Sequence, residues 1–370
     1  MEVIEKVKKK IIYAVGPVYT IKWGVDLLNK GSENINESIL YGVNYFDKSN
    51  SFSLMYSNKC EKYKLLGYLS KILKNQLGFL PEQVEAYRDK NKYDVLYGCM
   101  GNHIFLLCLL KSICQYDKPI IALMHNVKDL DKVHNIFLKI FLKLYYMILF
   151  KAMDRIIFIG KNAQENAKKI WKGCEEKSKY VFLGPSKRHF PEQENTKKKY
   201  IVSAGKTKRD YFTLINAVKD LPWECVIVCE DSKDLREKCT GLANVRIIEK
   251  MPYKDLLQLY RKARVIVIPM RDSEYGMFGF TSILDALFVE KPFIVTKTKG
   301  LEFNPEKYGC GITVKEGNVE ELKKGIREII ECPSEKFDLY QNNIIKFKQN
   351  NNIENSAKQI LSIIEDCTNK

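Results

Sequence analysis

Residues Val265 to Thr298 read VIVIPMRDSEYGMFGFTSILDALFVEKPFIVTKT, and this stretch decides the fold. The run from Val265 to Pro269 is β-branched and apolar throughout, as a parallel-sheet strand buried on both faces must be. A polar loop follows, and Gly276, Gly279, Thr281 and Ser282 lead into an apolar helix over Ile283 to Val289. Lys291-Pro292 closes that helix, and Phe293 to Thr296 is the next strand. In such a βαβ unit, free backbone N–H groups and the positive end of a helix dipole meet beyond the first strand's carboxyl end. A phosphate suits that position, although the same glycines also serve an ordinary turn.

The stretch resembles the donor-binding signature of the retaining GT-B glycosyltransferases, in particular glycosyltransferase family 4, the glycosyl transferases of group 1. Pro269-Met270-Arg271-Asp272 stands where members carry a P-x-R-D-like strand end, and Gly279 to Thr296 where they carry the helix and following strand. Leu284-Asp285-Ala286 replaces the usual Leu-Glu-Ala. The resemblance implies an α/β protein of two doubly wound, Rossmann-like parallel-sheet domains facing across a cleft.

Length and composition fit that expectation. A chain of 370 residues, 45% of them apolar and 29% charged, is long enough for two cores and has the make-up of a folded protein. The N-terminus offers no leader-like apolar region, and no run reaches a clean membrane span, so a cytoplasmic chain is expected. The eleven cysteines form no C-x-x-C pair, which suits a reducing compartment and small buried side chains. The four histidines, 103, 125, 134 and 189, show no ligand spacing, so no metal is expected. Net charge is +16, and residues 1–190 hold 31 Lys and Arg against 18 Asp and Glu. That asymmetry calls for a polyanionic partner or an anionic membrane surface, or else is solvated surface lysine. No aromatic-rich basic strand or helix-turn-helix accompanies it, so nucleic acid is not expected.

Strand and helix patterns alternate along the first half. Ile11 to Val15 is a short strand ending in Gly16-Pro17, Asn36 to Phe46 and Tyr63 to Leu73 have helical spacing, and Tyr93 to Tyr97 and Pro119 to Met124 are strands. His103 and His125 follow the last two, at the sheet edge where open α/β proteins bind ligands. Asp129 to Asp154 reads as one helix with Lys128, Lys132, Lys139 and Lys143 on a single face. Such a helix lies in a membrane interface with lysines at the headgroups, or is a core helix with lysines in water. Ser186 to Lys199 is polar and reads as the linker. The expected domains are therefore 1–190, 191–345 and a terminal helical piece, 346–370, which by analogy crosses back to the first domain.

The second half opens with the strand Tyr200 to Ala204 and the run Gly205-Lys206-Thr207-Lys208-Arg209-Asp210-Tyr211. A glycine followed by cations at a strand's carboxyl end suits phosphate oxygens, and the run resembles the family's G-R-x-x-R-D-Y. By that resemblance Lys206 and Arg209 neutralise the donor's diphosphate, with Gly205 and the amides of Gly279, Phe280, Thr281 and Ser282. The turn Lys250-Met251-Pro252-Tyr253 holds the base, with Met251 and Tyr253 as donor contacts. Asp285 takes the ribose hydroxyls, Gly16 approaches the donor and His125 lies near the reacting sugar.

The implied function is transfer of a sugar from a nucleotide-diphospho-sugar, UDP- or GDP-linked, to a glycan or lipid-linked acceptor in surface polysaccharide synthesis. The reaction is retaining and metal-independent, with the departing phosphate as base, and no cofactor is implied. One departure stands out: eight positions before Asp285, where many members carry a second glutamate, is Met277, with Glu274 the nearest acid. An inactive nucleotide-binding or scaffold protein is therefore an alternative, as is a nucleotide-sugar epimerase.

Overall fold

A computed structural model describes residues 9–16, 18–57, 62–73, 77–188, 200–230, 233–271 and 278–369. The chain divides into two compact units, each drawn from separated segments. The first comprises Met1–Ser32, Ile39–Leu183 and Ile353–Lys370, and the second Glu33–Ser38 and Gly184–Asn352.

The first unit holds β1 (Lys10–Val15), β2 (Phe52–Tyr56), β3 (Val95–Gly98), β4 (Ile120–Met124), β5 (Arg155–Phe158) and β6 (Ser178–Tyr180). They form one sheet in the order β2-β1-β3-β4-β5-β6, every pair parallel. The second unit holds β7 (Ile201–Ala204), β8 (Cys225–Val228), β9 (Val245–Ile248), β10 (Val265–Ile268), β11 (Phe293–Lys297) and β12 (Gly311–Lys315). Their order is β12-β11-β10-β7-β8-β9, again all parallel. This is the GT-B pair of Rossmann-like sheets. Helices on both faces bury β3, β4, β7, β8 and β10 completely, which is why those strands are unbroken apolar runs. The strand order reverses between β1 and β3 in one sheet and between β7 and β10 in the other, and at such switch points adjoining loops part to leave a crevice.

Several elements differ from their sequence expectation. The strand Phe52–Tyr56 and the helices Val18–Asn29, Leu80–Arg88 and Ser334–Asn350 were not expected. Asn36 to Phe46 is not one helix but two short 3-10 turns, Glu37–Leu40 and Val43–Lys48, separated where Tyr41 and Gly42 take φ of 53° and 81°. The long helix begins only at Ile136 and runs to Ala152, because Asn135 caps it by accepting from the Leu138 amide at 3.0 Å. Lys128 and Lys132 precede it, so the single face of four lysines does not form. Of the expected linker, residues 189–199 lie outside the described residues.

The terminal helix, Ile353–Thr368, packs within the first unit. Ser356 Oγ donates to the Phe182 carbonyl at 2.7 Å, and Lys10 Nζ donates to the Thr368 carbonyl at 3.0 Å.

Candidate functional site

In the second unit the site is built on the β7/β10 switch point. Gly205 leaves β7 with φ of 138°, a value costly for any side chain, and a Cβ there would lie 2.5 Å from the Arg209 guanidinium. The loop then runs antiparallel to the end of β10: the Asp210 amide donates to the Pro269 carbonyl at 3.0 Å, and the Arg271 amide to the Lys208 carbonyl at 2.9 Å. Asp210 caps the next helix, Tyr211–Val218, by accepting from the Thr213 amide.

Arg209 is thereby held beside β10's loop. Its Nε donates to the Ala204 carbonyl at 3.2 Å, Nη1 to the Thr207 carbonyl at 3.2 Å, and Nη2 to Ser282 Oγ at 2.8 Å. Ser282 belongs to the first turn of the helix Phe280–Phe288, which starts earlier than its apolar run because Gly279, at φ of 83°, turns the chain into it. Gly279 has no side chain with which to cap the helix that Phe280, Thr281 and Ser282 open, so it leaves the amides of that first turn uncovered on its own account. Two separate glycine loops thus place a guanidinium and a helix N-terminus within hydrogen-bond reach of each other, and Thr281 beside them is exposed. This combination attracts an anion.

Lys206 is turned elsewhere. Its Nζ meets Glu230 Oε2, just past β8, at 2.6 Å, and both side chains are exposed. That hydrogen bond and charge hold the Glu230 carboxyl below its usual range.

Asp285 lies further along the helix Phe280–Phe288 and is 8% exposed. Its Oδ1 accepts from the Tyr253 hydroxyl at 2.6 Å and from Asn36 Nδ2 at 2.9 Å. Burial pushes the carboxyl up to about 7, and the Tyr253 hydrogen bond opposes that rise. Tyr253 opens the helix Tyr253–Lys262 behind Pro252, and Met251 beside it is half-buried. Met277, Glu274 and Gly276 lie outside the described residues.

In the first unit Gly16 and His125 stand at the carboxyl ends of β1 and β4, the two strands that flank β3. The Gly16 amide donates to Glu82 Oε1 at 3.3 Å, and a Cβ on Gly16 would press on Cys99 and Ile21 at 3.0 Å. Glu82 is 3% exposed, and burial raises its carboxyl well above the ordinary range. His125 packs edge-on against Tyr41, ring centres 4.8 Å apart. Burial first and His103 second lower its imidazole to about 4, and Nε2 has no hydrogen-bond partner among the described residues. His125 is therefore a neutral imidazole at neutral pH. Among the described residues no three His, Cys, Asp or Glu side chains cluster as metal ligands would.

Four partners were not visible in the sequence reading: Asn36 on Asp285, Glu230 on Lys206, Glu82 on Gly16, and Ser282 as the direct acceptor for Arg209. No local motif signals them, since each bond joins segments distant in the chain.

Residues 184–347 match the model of the glycosyl transferases group 1. No curated protein sequence matches the chain significantly. The fold is similar to that of HepE from Anabaena, solved in complex with UDP, with a TM-score of 0.66 at 13% identity over 96% of this chain and 100% of that one. A second structure of HepE is a complex with UDP-glucose, with a TM-score of 0.64 at 14% identity over 97% and 100%. The lipopolysaccharide outer core galactosyltransferase WaaB gives a TM-score of 0.58 at 12% identity over 96% and 99%. At such identities the likeness is one of fold.

Proposed function

We propose that the chain, whose residues 184–347 match the glycosyl transferases group 1 model, is a glycosyltransferase, and that its donor is a nucleoside-diphosphate sugar bound beyond β7 and β10. The observation that carries this is the meeting of Arg209 with Ser282 at the start of the helix Phe280–Phe288, 2.8 Å apart. A fixed guanidinium and aligned amides answer the two charges of a diphosphate, and they stabilise the same group more strongly as it departs. Gly205 and Gly279 let the backbone come close, Asp285 takes ribose hydroxyls, and Met251 and Tyr253 flank the base. Lys206 adds charge once it leaves Glu230. His125, a neutral imidazole of the first unit, is the residue that the family resemblance puts near the reacting sugar.

We assign the uridine or guanosine series to the donor. HepE supports uridine, since its structures hold UDP and UDP-glucose. The transfer is read as retaining and metal-independent, with the departing phosphate as base. Thermal melting with UDP, GDP, ADP and their sugars tests the donor, because a ligand selective for the folded state raises Tm. Arg209→Ala should abolish the rise given by the best nucleotide. A rise of unchanged size in that variant would place the diphosphate elsewhere.

The acceptor is read as a glycan on a lipid carrier at a membrane surface, in surface polysaccharide synthesis. Its support is the helix Ile136–Ala152, whose Phe137 is 81% and Phe141 60% exposed, with Ile136, Ile140 and Leu144 also open to solvent. No acidic residue occurs between Ile136 and Met153, while Lys139, Lys143 and Lys151 do. Exposed apolar side chains on a helix whose own charged residues are all lysines suit an anionic bilayer better than a protein partner. Among the described residues no helix is long and apolar enough to cross a membrane. Flotation with phosphatidylglycerol vesicles should carry the protein upward, and Phe137→Ser with Phe141→Ser should leave it at the bottom. Equal flotation of the two proteins would exclude this helix as the contact.

A further inference from the structure

The segment Glu33–Ser38 precedes β2 in the chain, yet its contacts place it in the second unit. It is tied there at every step. Glu33 pairs with Lys254 at 2.7 Å, Asn34 Oδ1 accepts from the Lys254 amide at 3.2 Å, and the Ile35 carbonyl accepts from Arg188 at 2.8 Å. Glu37, 4% exposed, accepts from Ser186 Oγ at 2.5 Å and faces Arg188 Nε at 3.4 Å. These anchors hold Asn36 between them.

The Asn36 side chain has one possible orientation. Its Oδ1 accepts from the Ser38 amide at 2.8 Å, which leaves Nδ2 to donate to Asp285 Oδ1 at 2.9 Å. Exchanging the two amide ends would set a donor against a donor and an acceptor against a carboxylate. The Tyr253 hydroxyl donates to the same Oδ1 at 2.6 Å. Both bonds therefore end on one carboxylate oxygen, and Oδ2 takes no donor among the described residues.

We infer that Asn36 is a positioning residue for the donor: with Tyr253 it fills Oδ1 of Asp285 and turns Oδ2 toward the vicinal hydroxyls of the nucleotide's ribose. This rests on the donor assignment above. A carboxylate free to rotate would divide its two oxygens between protein and ligand. One fixed from two sides presents a single acceptor at a set angle, and a site built to hydrogen-bond a hydroxyl discriminates strongly against a ligand lacking it. Asn36 touches no part of the ligand itself. Its effect reaches the ribose through Asp285, so it governs recognition of the sugar hydroxyls and not of the base or the phosphates.

Calorimetric titration of the intact chain with UDP and GDP, each beside its 2′,3′-dideoxy counterpart, tests this. Asn36→Ala should weaken binding of the ribonucleotide roughly five- to thirtyfold while leaving the dideoxy compound within about twofold of the parent protein. The acid limb of ribonucleotide binding should also move to higher pH in the variant, because the carboxylate loses a donor that favours its charged form. A residue needed only for packing would weaken both ligands alike and leave the pH limb in place. Asn36→Asp guards against a variant that fails to fold: it keeps the acceptor for the Ser38 amide, removes the donor and adds a like charge, so its loss for the ribonucleotide should be larger still. Ribonucleotide binding with an unchanged ribo-to-dideoxy ratio in both variants overturns this inference alone. Failure of the parent protein to bind either nucleotide, or equal binding of ribo and dideoxy forms, overturns the donor assignment and this inference with it.

Discussion

Replacing Asp285 with Asn gives the sharpest test of the site's electrostatics. Burial carries the Asp285 carboxyl from an ordinary 3.8 up to about 7. The folded state therefore holds a proton that the unfolded chain has released, so stability from this group is complete below about pH 4 and is lost as pH rises through about 7. Between pH 5 and 8 the loss comes to about 2.5 kcal/mol, or about 5–10 °C in the melting temperature of a unit this size. Asp285→Asn cannot titrate, and its amide oxygen can still accept from Tyr253 and Asn36. The wild-type profile should therefore fall more steeply than the variant's by that amount in calorimetric scans from about pH 5 to 8, with other groups supplying a common background. Nucleotide binding should show the opposite trend in the wild type, roughly tenfold weaker at pH 6 than at pH 8, because only the carboxylate accepts two ribose hydroxyls. Melting profiles that run parallel within about 2 °C would refute the argument, since Asp285 would then titrate like a solvated acid.

Three further outcomes follow from the same geometry. Lys206→Ala should cost less nucleotide affinity than Arg209→Ala, and Glu230→Gln should raise affinity by releasing Lys206; titration of the three variants checks the order. Gly279→Ala, forced to a φ of 83° and with its Cβ about 3.0 Å from the Met270 sulfur, should lower stability by about 1–2 kcal/mol in denaturant unfolding and weaken nucleotide binding. His125→Ala should leave the nucleotide-induced rise in Tm intact while lowering the rate of sugar transfer; a lost rise would assign His125 to donor binding instead.

The parts of the fold legible in the sequence were those where one local pattern fixes the outcome. Val265 to Pro269 reads as a buried strand, and all of it but Pro269 is one, while the glycine-and-cation run after β7 announced the loop that brings Arg209 to Ser282. The helix Leu80–Arg88 escaped notice because it buries Glu82, Gln83 and Glu85, so its inward face reads as a surface. The strand Phe52–Tyr56 escaped because it lies at a sheet edge, only partly covered, and lacks the unbroken apolar run of its inner neighbours. The two 3-10 turns around Gly42 depend on positive backbone angles that apolar periodicity does not encode. At the site, the residue types were visible but their partners were not. Lys206 was expected on phosphate and rests on Glu230, and Asn36 reaches Asp285 across 249 positions of chain. Hydrophobic spacing reports which face of an element is inward, and it carries no information on which distant side chain will meet it.

The helix Ile353–Thr368 follows the second unit along the chain, yet it is a structural member of the first. While the nascent chain emerges, residues up to Leu183 must wait with the surface around Phe182 and Gly42 uncovered, whereas the later unit already has all of its segments. Maturation should then run backwards relative to synthesis, the later unit becoming protease-resistant before the earlier one. A chain shortened by its last turns would release a product whose opening residues are the ones attacked.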